Sequence, residues 1–239
     1  MESILRVEGL CKKYPAFFLD NVGFSIEKGS IMCFIGRNGA GKTTTLKSIM
    51  NLVHPDSGEI YFFGKPMQGN EKEIKQRTGF ATGTVNYYPR KTIAEITAVT
   101  KTFFDSWSDE AYNKYLTAFK LDESKQIREL SEGMKVKYNL ALALSHGAEI
   151  LLLDEPTSGL DPVSRDELLE IFEKLAENGT AILFSTHITS DLDKCADSVT
   201  YIKNGKIVGS GNKADFVREQ GGGTFEDIMV RLEKEEVLL

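Results

Sequence analysis

Cysteine is scarce in this chain, and its three copies stand far apart. Cys11, Cys33 and Cys195 are the only cysteines among 239 residues, and no two of them form a CxxC pair. A disulfide scaffold needs an even set of cysteines at close spacings, so this pattern excludes one and is typical of a reducing compartment. We interpret the three thiols as structural.

Long apolar runs are also missing. No run approaches the ~20 residues that a membrane-spanning helix needs, and the first residues, MESILRVEGL, carry no basic, apolar leader. We therefore expect a cytoplasmic protein, peripheral on the inner face of the cell membrane, that reaches the membrane only through a partner.

Positively charged side chains are fewer than negatively charged ones in this chain. The chain has 29 Lys and Arg against 35 Asp and Glu, a net charge of −6. Binding to nucleic acid or to anionic lipid by charge relies on dense Lys and Arg patches. We therefore expect no nucleic-acid partner.

The length of the chain fits one large domain or a domain with a subdomain.

Strand-like and helix-like segments alternate along the chain. Apolar runs typical of buried strands stand at residues 31–35, 150–153 and 181–184. Shorter strands are expected at residues 5–7, 22–26, 60–63 and 79–81. Helical spacing covers residues 43–50, 92–104, 109–119, 134–144 and 164–176, with Ser108 as an N-cap. The alternation predicts an α/β fold with a mainly parallel sheet.

The helical middle of the chain is interpreted as an inserted subdomain. Residues 1–85 and 145–211 are predicted to form the two parts of the core, and residues 86–144 the helical insert. Residues 212–239 form a short tail, in which three glycines at 221–223 separate two small helices.

A glycine-rich loop follows the first buried strand. Residues 36–43 read GRNGAGKT and fit G-x-x-x-x-G-K-[ST] at every fixed position, between a predicted strand and a predicted helix. Glycines let backbone N–H groups turn toward phosphate oxygens, and the helix N-terminus adds its positive dipole end. Lys42 supplies a charge for the β- and γ-phosphates, and Thr43 offers a hydroxyl to Mg²⁺.

Two carboxylates follow the second buried strand, in the run ILLLDE at residues 150–155. The end of a parallel strand is where open α/β sheets bind ligands, so the two side chains are expected beside the phosphate loop. Asp154 is placed to hold Mg²⁺, and Glu155 to polarise an attacking water.

Further motifs complete a resemblance to the ATP-binding subunits of ABC transporters, over nearly the whole chain. GRNGAGKTT at 36–44 matches Walker A, and ILLLDEPTSGLD at 150–161 matches Walker B with its D-loop. LSEGM at 130–134, by itself only a helix-capping signal, matches the signature that usually reads LSGGQ. Tyr14 matches the aromatic that stacks on adenine, and His187 matches the switch histidine.

The resemblance implies a fold, a reaction and a site. The fold is a P-loop NTPase core of the RecA-like type, with a β-rich N-terminal edge and an inserted helical subdomain. The reaction is hydrolysis of ATP, with Mg²⁺, through Lys42, Glu155 and His187 as catalytic residues; Thr43 and Asp154 bind the metal. The nucleotide-binding residues are Tyr14, Gly36, Arg37, Asn38, Gly39, Ala40, Gly41, Lys42, Thr43, Thr44, Ser131, Gly133 and Asp161.

The resemblance also implies partners. Head-to-tail pairing with a second ATPase subunit, identical or related, would let Ser131 and Gly133 complete the other subunit's site. A membrane-spanning subunit would contact the loop at residues 85–90 (VNYYPR). LSEGMKVK at 130–137, with Trp107 before the second insert helix, is similar to exporter subunits encoded apart from their membrane protein.

One position departs from the family pattern, and two alternatives remain open. Gly83 stands where the family has a glutamine that touches Mg²⁺ and water, so we expect that contact to be missing and basal hydrolysis to be slow. An importer subunit is one alternative, and a nucleotide-gated ABC binding module without transport is the other. Phosphate release by the purified chain would separate enzyme from module.

Overall fold

The computed structural model describes residues 3–82 and 88–234. The strands in these ranges are β1 (Ser3–Tyr14), β2 (Phe17–Glu27), β3 (Ile31–Ile35), β4 (Ser57–Phe62), β5 (Lys65–Pro66), β6 (Thr78–Thr82), β7 (Ile150–Asp154), β8 (Ala181–Thr186), β9 (Ser198–Lys203) and β10 (Lys206–Asn212). The α-helices are α1 (Lys42–Ile49), α2 (Glu71–Gln76), α3 (Ile93–Thr100), α4 (Asp109–Ala118), α5 (Glu132–Ser145), α6 (Pro162–Glu177), α7 (Thr189–Cys195), α8 (Lys213–Glu219) and α9 (Phe225–Lys234).

The larger sheet has six strands in the order β10-β9-β3-β8-β7-β6. All its neighbours pair in parallel except β10 with β9. Strands β3 and β7 are buried along their whole length, as their unbroken apolar runs indicate. The predicted α/β fold with a mainly parallel sheet is therefore confirmed.

The smaller sheet is antiparallel, in the order β2-β1-β4-β5. Strands β1 and β2 are much longer than the predicted 5–7 and 22–26, because they form one hairpin that pairs from Ser3↔Glu27 to Tyr14↔Phe17. This hairpin brings Tyr14 to the turn end of the sheet. It shares one apolar core with the larger sheet, including Leu5, Phe34 and Leu46.

Helices α3, α4 and α5 enclose a hydrophobic cluster that includes Ile93, Leu116 and Leu142. Thr92 caps α3 with a reciprocal capping box, and the predicted N-cap Ser108 accepts a hydrogen bond from Ala111 N. Helix α3 ends at Thr100 and not at residue 104, and a 3₁₀ turn follows it.

A tertiary contact holds the segment that follows α3 and its 3₁₀ turn. The amide of Gln76 donates to the carbonyl of Phe103 at 2.6 Å and accepts from the N–H of Asp105 at 2.9 Å. These two bonds flank Phe104, whose backbone is extended, with a φ of −118° and a ψ of 115°. The last residues of the predicted helix are therefore bonded to the end of a different helix, α2.

The two tail helices, α8 and α9, lie on either side of the three glycines as predicted. The sequence did not predict α2, α7, β5, β9 or β10. Within residues 3–82 and 88–234, no helix combines the length and apolarity required to cross a bilayer.

Candidate functional site

The glycine-rich loop joins β3 to α1 at the centre of the larger sheet. A Cβ at Gly36 would lie 2.3 Å from the carbonyl oxygen of Ile202, and Gly41 has a φ of 117°. Both positions require glycine, the first for close approach to β9 and the second for its backbone conformation. The loop is therefore tight, and Lys42 follows it directly as the first residue of α1.

Lys42 is almost completely buried, with 5% of its surface exposed. Its Nζ donates to the carbonyls of Gly36 at 2.7 Å and Arg37 at 3.2 Å, and lies 3.0 Å from Glu155 Oε1. A buried ammonium is stable only when its donors have partners. These oxygens fill that role, so an anion entering the loop competes with them for Lys42.

Asp154 ends β7 and lies between two hydroxyls. Its Oδ2 accepts from Thr43 Oγ1 at 2.7 Å, and its Oδ1 accepts from Ser185 Oγ at 2.7 Å. Ser185 stands beside Asp154 because β7 and β8 pair in parallel with these two residues in register. The carboxylate is thus fixed next to the first turn of α1.

Glu155 turns away from Asp154 because its backbone is left-handed, with a φ of 53°. This conformation costs a non-glycine residue about 1–2 kcal/mol, and Ser185 holds it by accepting from Glu155 N at 2.9 Å. The Glu155 side chain then reaches His187 Nδ1 at 2.7 Å and Lys42 on its other oxygen. Consecutive carboxylates therefore contact different groups, as the sequence predicts.

These groups open onto a cleft of about 570 Å³. Its lining residues are Tyr14, Phe17, Asn38, Gly39, Gly41, Lys42, Thr43, Thr44, Glu155, Ser158 and His187. A larger cleft of about 750 Å³, beside Tyr115 and Ile171, contains none of the predicted site residues. We assign the site to the smaller cleft, because titratable and hydroxyl groups converge there.

Seven predicted residues are not among those that line this cleft in the described part of the chain: Gly36, Arg37, Ala40, Ser131, Gly133, Asp154 and Asp161. Gly36 and Ala40 belong to the glycine-rich loop itself, and Asp154 lies behind Thr43, to which it is bonded. Arg37 instead places its guanidinium 3.6 Å from Glu233 of α9. Ser131 caps α5 by accepting from Met134 N at 3.2 Å, and Gly133 lies in the first turn of that helix.

Asp161, another of these residues, caps α6. Its Oδ1 accepts from Val163 N at 3.0 Å and from Ser164 N at 3.1 Å. The hydroxyl and the amide of Ser164 hold the pKa of this exposed carboxyl below its usual value. Asp161 is thus ionised at neutral pH, as an N-cap at the positive end of a helix dipole should be.

Some residues of the site carried no motif signal, and some predicted ones lie outside the description. Phe17 lines the cleft and Ser185 holds Asp154, although neither was predicted to do so. Ser185 stands two residues before the predicted His187, in the triplet STH at 185–187, whereas Phe17 had no such signal. Gly83 and residues 84–87 lie outside the described residues, so the missing glutamine contact stays a prediction.

Known proteins resemble this chain in sequence and in fold. The ABC transporter family pattern matches residues 19–158. The bacitracin transport ATP-binding protein BcrA of Bacillus licheniformis is 34% identical over 212 residues, which are 87% of this chain and 69% of that protein. The Nod factor export ATP-binding protein I of Burkholderia lata is 34% identical over 209 residues, covering 85% and 69% of the two chains.

A solved structure of an ATP-binding subunit of an ABC transporter superimposes with a TM-score of 0.87 at 29% identity. The superposition covers 97% of this chain and 100% of that one. Its fold, together with the family pattern over the phosphate loop and both carboxylates, identifies a nucleotide-binding ATPase. This chain therefore belongs to the ABC transporter family, as an ATP-binding subunit.

Proposed function

We propose that this chain hydrolyses ATP in a site built on Lys42, Thr43, Asp154, Glu155 and His187, and thereby powers an ABC exporter. The observation that carries the proposal is the meeting of a buried cation, a hydroxyl–carboxylate pair and a carboxylate–imidazole pair in one cleft. Export is inferred from relatives named for bacitracin transport and Nod factor export. The exported substrate depends on the membrane subunit.

The loop and Lys42 are proposed to bind the triphosphate. Backbone N–H groups of residues 36–43 and the start of α1 favour anions, and Lys42 exchanges its carbonyl partners for the β- and γ-phosphates. Tyr14, on the rim of the cleft, supplies a ring on which adenine can stack.

Thr43 and Asp154 fit a magnesium ion. Mg²⁺ takes oxygen ligands at 2.0–2.1 Å in an octahedron, which separates adjacent ligands by about 2.9 Å. Thr43 Oγ1 and Asp154 Oδ2 lie 2.7 Å apart and are both oxygens. Bound there, Mg²⁺ would neutralise charge on the phosphates.

Glu155 and His187 are proposed to act on water and on the γ-phosphate. The Glu155 carboxylate polarises and orients the attacking water. Its hydrogen bond to His187 Nδ1 fixes the imidazole plane, so the other ring nitrogen can contact the γ-phosphate. Each group would thus orient the other for the same step.

A second subunit is proposed to use Ser131, Gly133 and Asp161, in a head-to-tail dimer. Ser131 and Asp161 cap exposed helix starts, and Gly133 lies in the first turn of α5. Among the residues described, none of the three lines the chain's own cleft. Among the described residues, the nearest atom that a Cβ built on Gly133 would meet is the Cβ of Ser164, at 3.6 Å. Packing inside this chain therefore does not require a glycine there, and close approach of a partner's nucleotide would.

The membrane subunit is proposed to dock on the apolar side of the helical insert. Val99, Phe103 and Leu52 are large exposed hydrophobic residues, and Leu52 also lines a groove of about 250 Å³ with Phe104. Tyr88, from the predicted contact loop, is 77% exposed. This docking would hold the chain at the cytoplasmic face of the membrane.

We also propose that the chain divides into core, helical insert, core and tail at residues 85, 144 and 211. The separate hydrophobic cluster of α3, α4 and α5 supports the helical insert as a unit.

Substitution of Lys42 tests the proposed function directly. We expect purified Lys42→Ala to lose tight ATP binding and phosphate release, because the substitution removes the buried cation of the cleft. Lys114→Ala, on α4, serves as the control, and the melting temperature shows whether each variant folds. Near-parental phosphate release by a folded Lys42→Ala would refute the assignment.

A further inference from the structure

A buried carboxylate lies just behind the site, outside every motif. Asp191 of α7 is 0% exposed, and its Oδ2 accepts from Thr157 Oγ1 at 2.7 Å and from Thr186 Oγ1 at 3.1 Å. Its Oδ1 has no hydrogen-bond partner among the described residues, and Arg165 Nε lies 3.6 Å from it. Burying a carboxylate costs considerable free energy when one of its oxygens has no hydrogen-bond partner.

The two hydroxyls that Asp191 accepts from belong to the two segments that carry the proposed chemistry. Thr157 stands two residues after Glu155, and Thr186 stands immediately before His187. Both threonines are almost completely buried. One oxygen of Asp191 therefore joins the loop after β7 to the end of β8, where Glu155 and His187 make their 2.7 Å contact.

The surroundings of Asp191 argue against a role in packing alone. Burial raises the pKa of this carboxyl, although both threonine hydroxyls act in the opposite direction. A buried charged pair is often no more stabilising than apolar residues of the same volume. What an apolar residue could not do here is accept two hydrogen bonds at once.

We propose that Asp191 is a positioning residue for ATP hydrolysis: through Thr157 and Thr186 it holds Glu155 and His187 in their mutual contact. This inference rests on the proposed function. Asp191 does not line the cleft and touches no group that would react. Its effect should therefore fall on turnover and not on nucleotide affinity.

Removal of one hydroxyl at a time tests the proposal. Thr157→Val and Thr186→Val keep the side-chain shape and each lose the bond to Asp191. Thr186→Val also loses the bond that Thr186 Oγ1 accepts from Ile188 N at 3.0 Å, so Thr157→Val is the cleaner of the two. We expect kcat to fall about tenfold while KM for ATP stays within about twofold, in line with loss of an interaction made in the transition state. Thr200→Val is the matched control, since Thr200 of β9 is fully buried and its hydroxyl is bonded to that of Ser210 on the edge strand β10. Asp191→Asn, which keeps an acceptor oxygen, should retain more activity than Asp191→Leu.

A double-mutant cycle separates positioning from general destabilisation. If Thr186 acts through His187, Thr186→Val should cause little further loss in a His187→Ala background. A second readout does not depend on activity: the imidazole Cε1–H resonance of His187 should shift in Thr186→Val and in Asp191→Leu, while that of the exposed His54 stays in place.

Three results would overturn the positioning role of Asp191, and a fourth would contradict the proposed function instead. An unchanged His187 resonance, or an equal fold-loss in the His187→Ala background, overturns the positioning role. Loss of nucleotide affinity in parallel with kcat also overturns it. A parent chain that releases no phosphate, with its His187 resonance still sensitive to Thr186→Val, contradicts the proposed function and leaves the contact network established.

Discussion

At the scale of single residues, the Lys42–Glu155 contact links the group proposed to bind the triphosphate to the group proposed to act on water. Lys42 Nζ lies 3.0 Å from Glu155 Oε1, and the same carboxylate contacts His187 through its other oxygen. A phosphate that draws Lys42 to itself also removes the cation from Glu155. We therefore expect binding of the triphosphate and release of the proposed base to be one event.

Substitution of Glu155 by glutamine should separate these two effects. We expect hydrolysis to fall by about 10²–10⁴, because an amide neither accepts a proton nor polarises water as a carboxylate does. ATP affinity should stay equal or increase, because a neutral amide competes less for Lys42. Phosphate release and equilibrium binding of a fluorescent ATP analogue measure the two quantities.

Glu170→Gln, at an exposed position of α6, controls for the loss of one carboxylate. Loss of ATP binding together with hydrolysis in Glu155→Gln would mean that Glu155 supports the loop structurally and does not act on water.

Five residues predicted for the site come together in the structure. Lys42, Thr43, Asp154 and Glu155 were predicted from local motifs and His187 from the family resemblance, and their roles in the reaction stay predictions. Asp191 was not predicted, because its contacts come from folding: they link three segments whose spacing along the chain carries no pattern.

At the scale of elements, His146 lies at the joint between the helical insert and the core. It is buried at the end of α5, its ring stacks on Phe104 at 3.7 Å, and its Nδ1 lies 2.9 Å from the carbonyl oxygen of Gln76. Burial lowers the pKa of His146 below its usual value. The joint thus depends on a neutral imidazole.

This lowered pKa predicts a stability that depends on pH. Because the unfolded chain binds the His146 proton more readily, the contribution is present above the unfolded pKa of about 6.5 and is lost as the pH falls through the folded pKa. The melting temperature of the parent should therefore fall more between pH 7.5 and pH 5.5 than that of His146→Gln. His54→Gln, at an exposed histidine, should behave like the parent, and an equal fall in all three proteins would contradict the role of His146.

The exposed apolar face of the insert predicts a partner contact. Val99→Ser with Phe103→Ser should leave phosphate release intact and reduce co-purification with the membrane subunit, since both side chains lie outside the cleft and Phe103 is 68% exposed. Val208→Ser, on β10 at the opposite edge of the sheet from β6, is the control. Undiminished co-purification of the double variant would place the contact elsewhere.

Element boundaries were predicted best where the signal is local. Strand β3 and the start of α4 matched their predicted residues, because an apolar run and an N-cap define them. Helix α7 has seven residues and no side-chain cap, and β9 mixes polar and apolar residues. Their structure comes from packing against β3 and α6, which periodicity along the chain cannot reveal.

At the scale of the whole molecule, Gly133 tests the proposed head-to-tail dimer. Gly133→Ala should stabilise the single chain by about 0.4–1 kcal/mol, because alanine fits the helical backbone and lowers the conformational entropy of the unfolded chain. The melting temperature should rise by about 1–4 °C. In the Glu155→Gln background, the same change should reduce the ATP-dependent dimer seen by size exclusion.

Gly147→Ala is a contrasting control, since Gly147 has a φ of 76° and lies after α5. That variant should lose stability and keep the dimer. A Gly133→Ala protein that dimerises as the parent does would show that the partner does not approach this glycine closely.

The position of β3 has a consequence for how the protein folds. Both neighbours of this strand come from the distant half of the chain, with Ile31 beside Ile182 and Met32 beside Ser198. Pairings across roughly 150 residues form slowly, whereas the β1–β2 hairpin closes locally. We therefore expect the phosphate loop to gain support on both sides only late in folding, so that ATP would stabilise the finished chain more than a partly folded one.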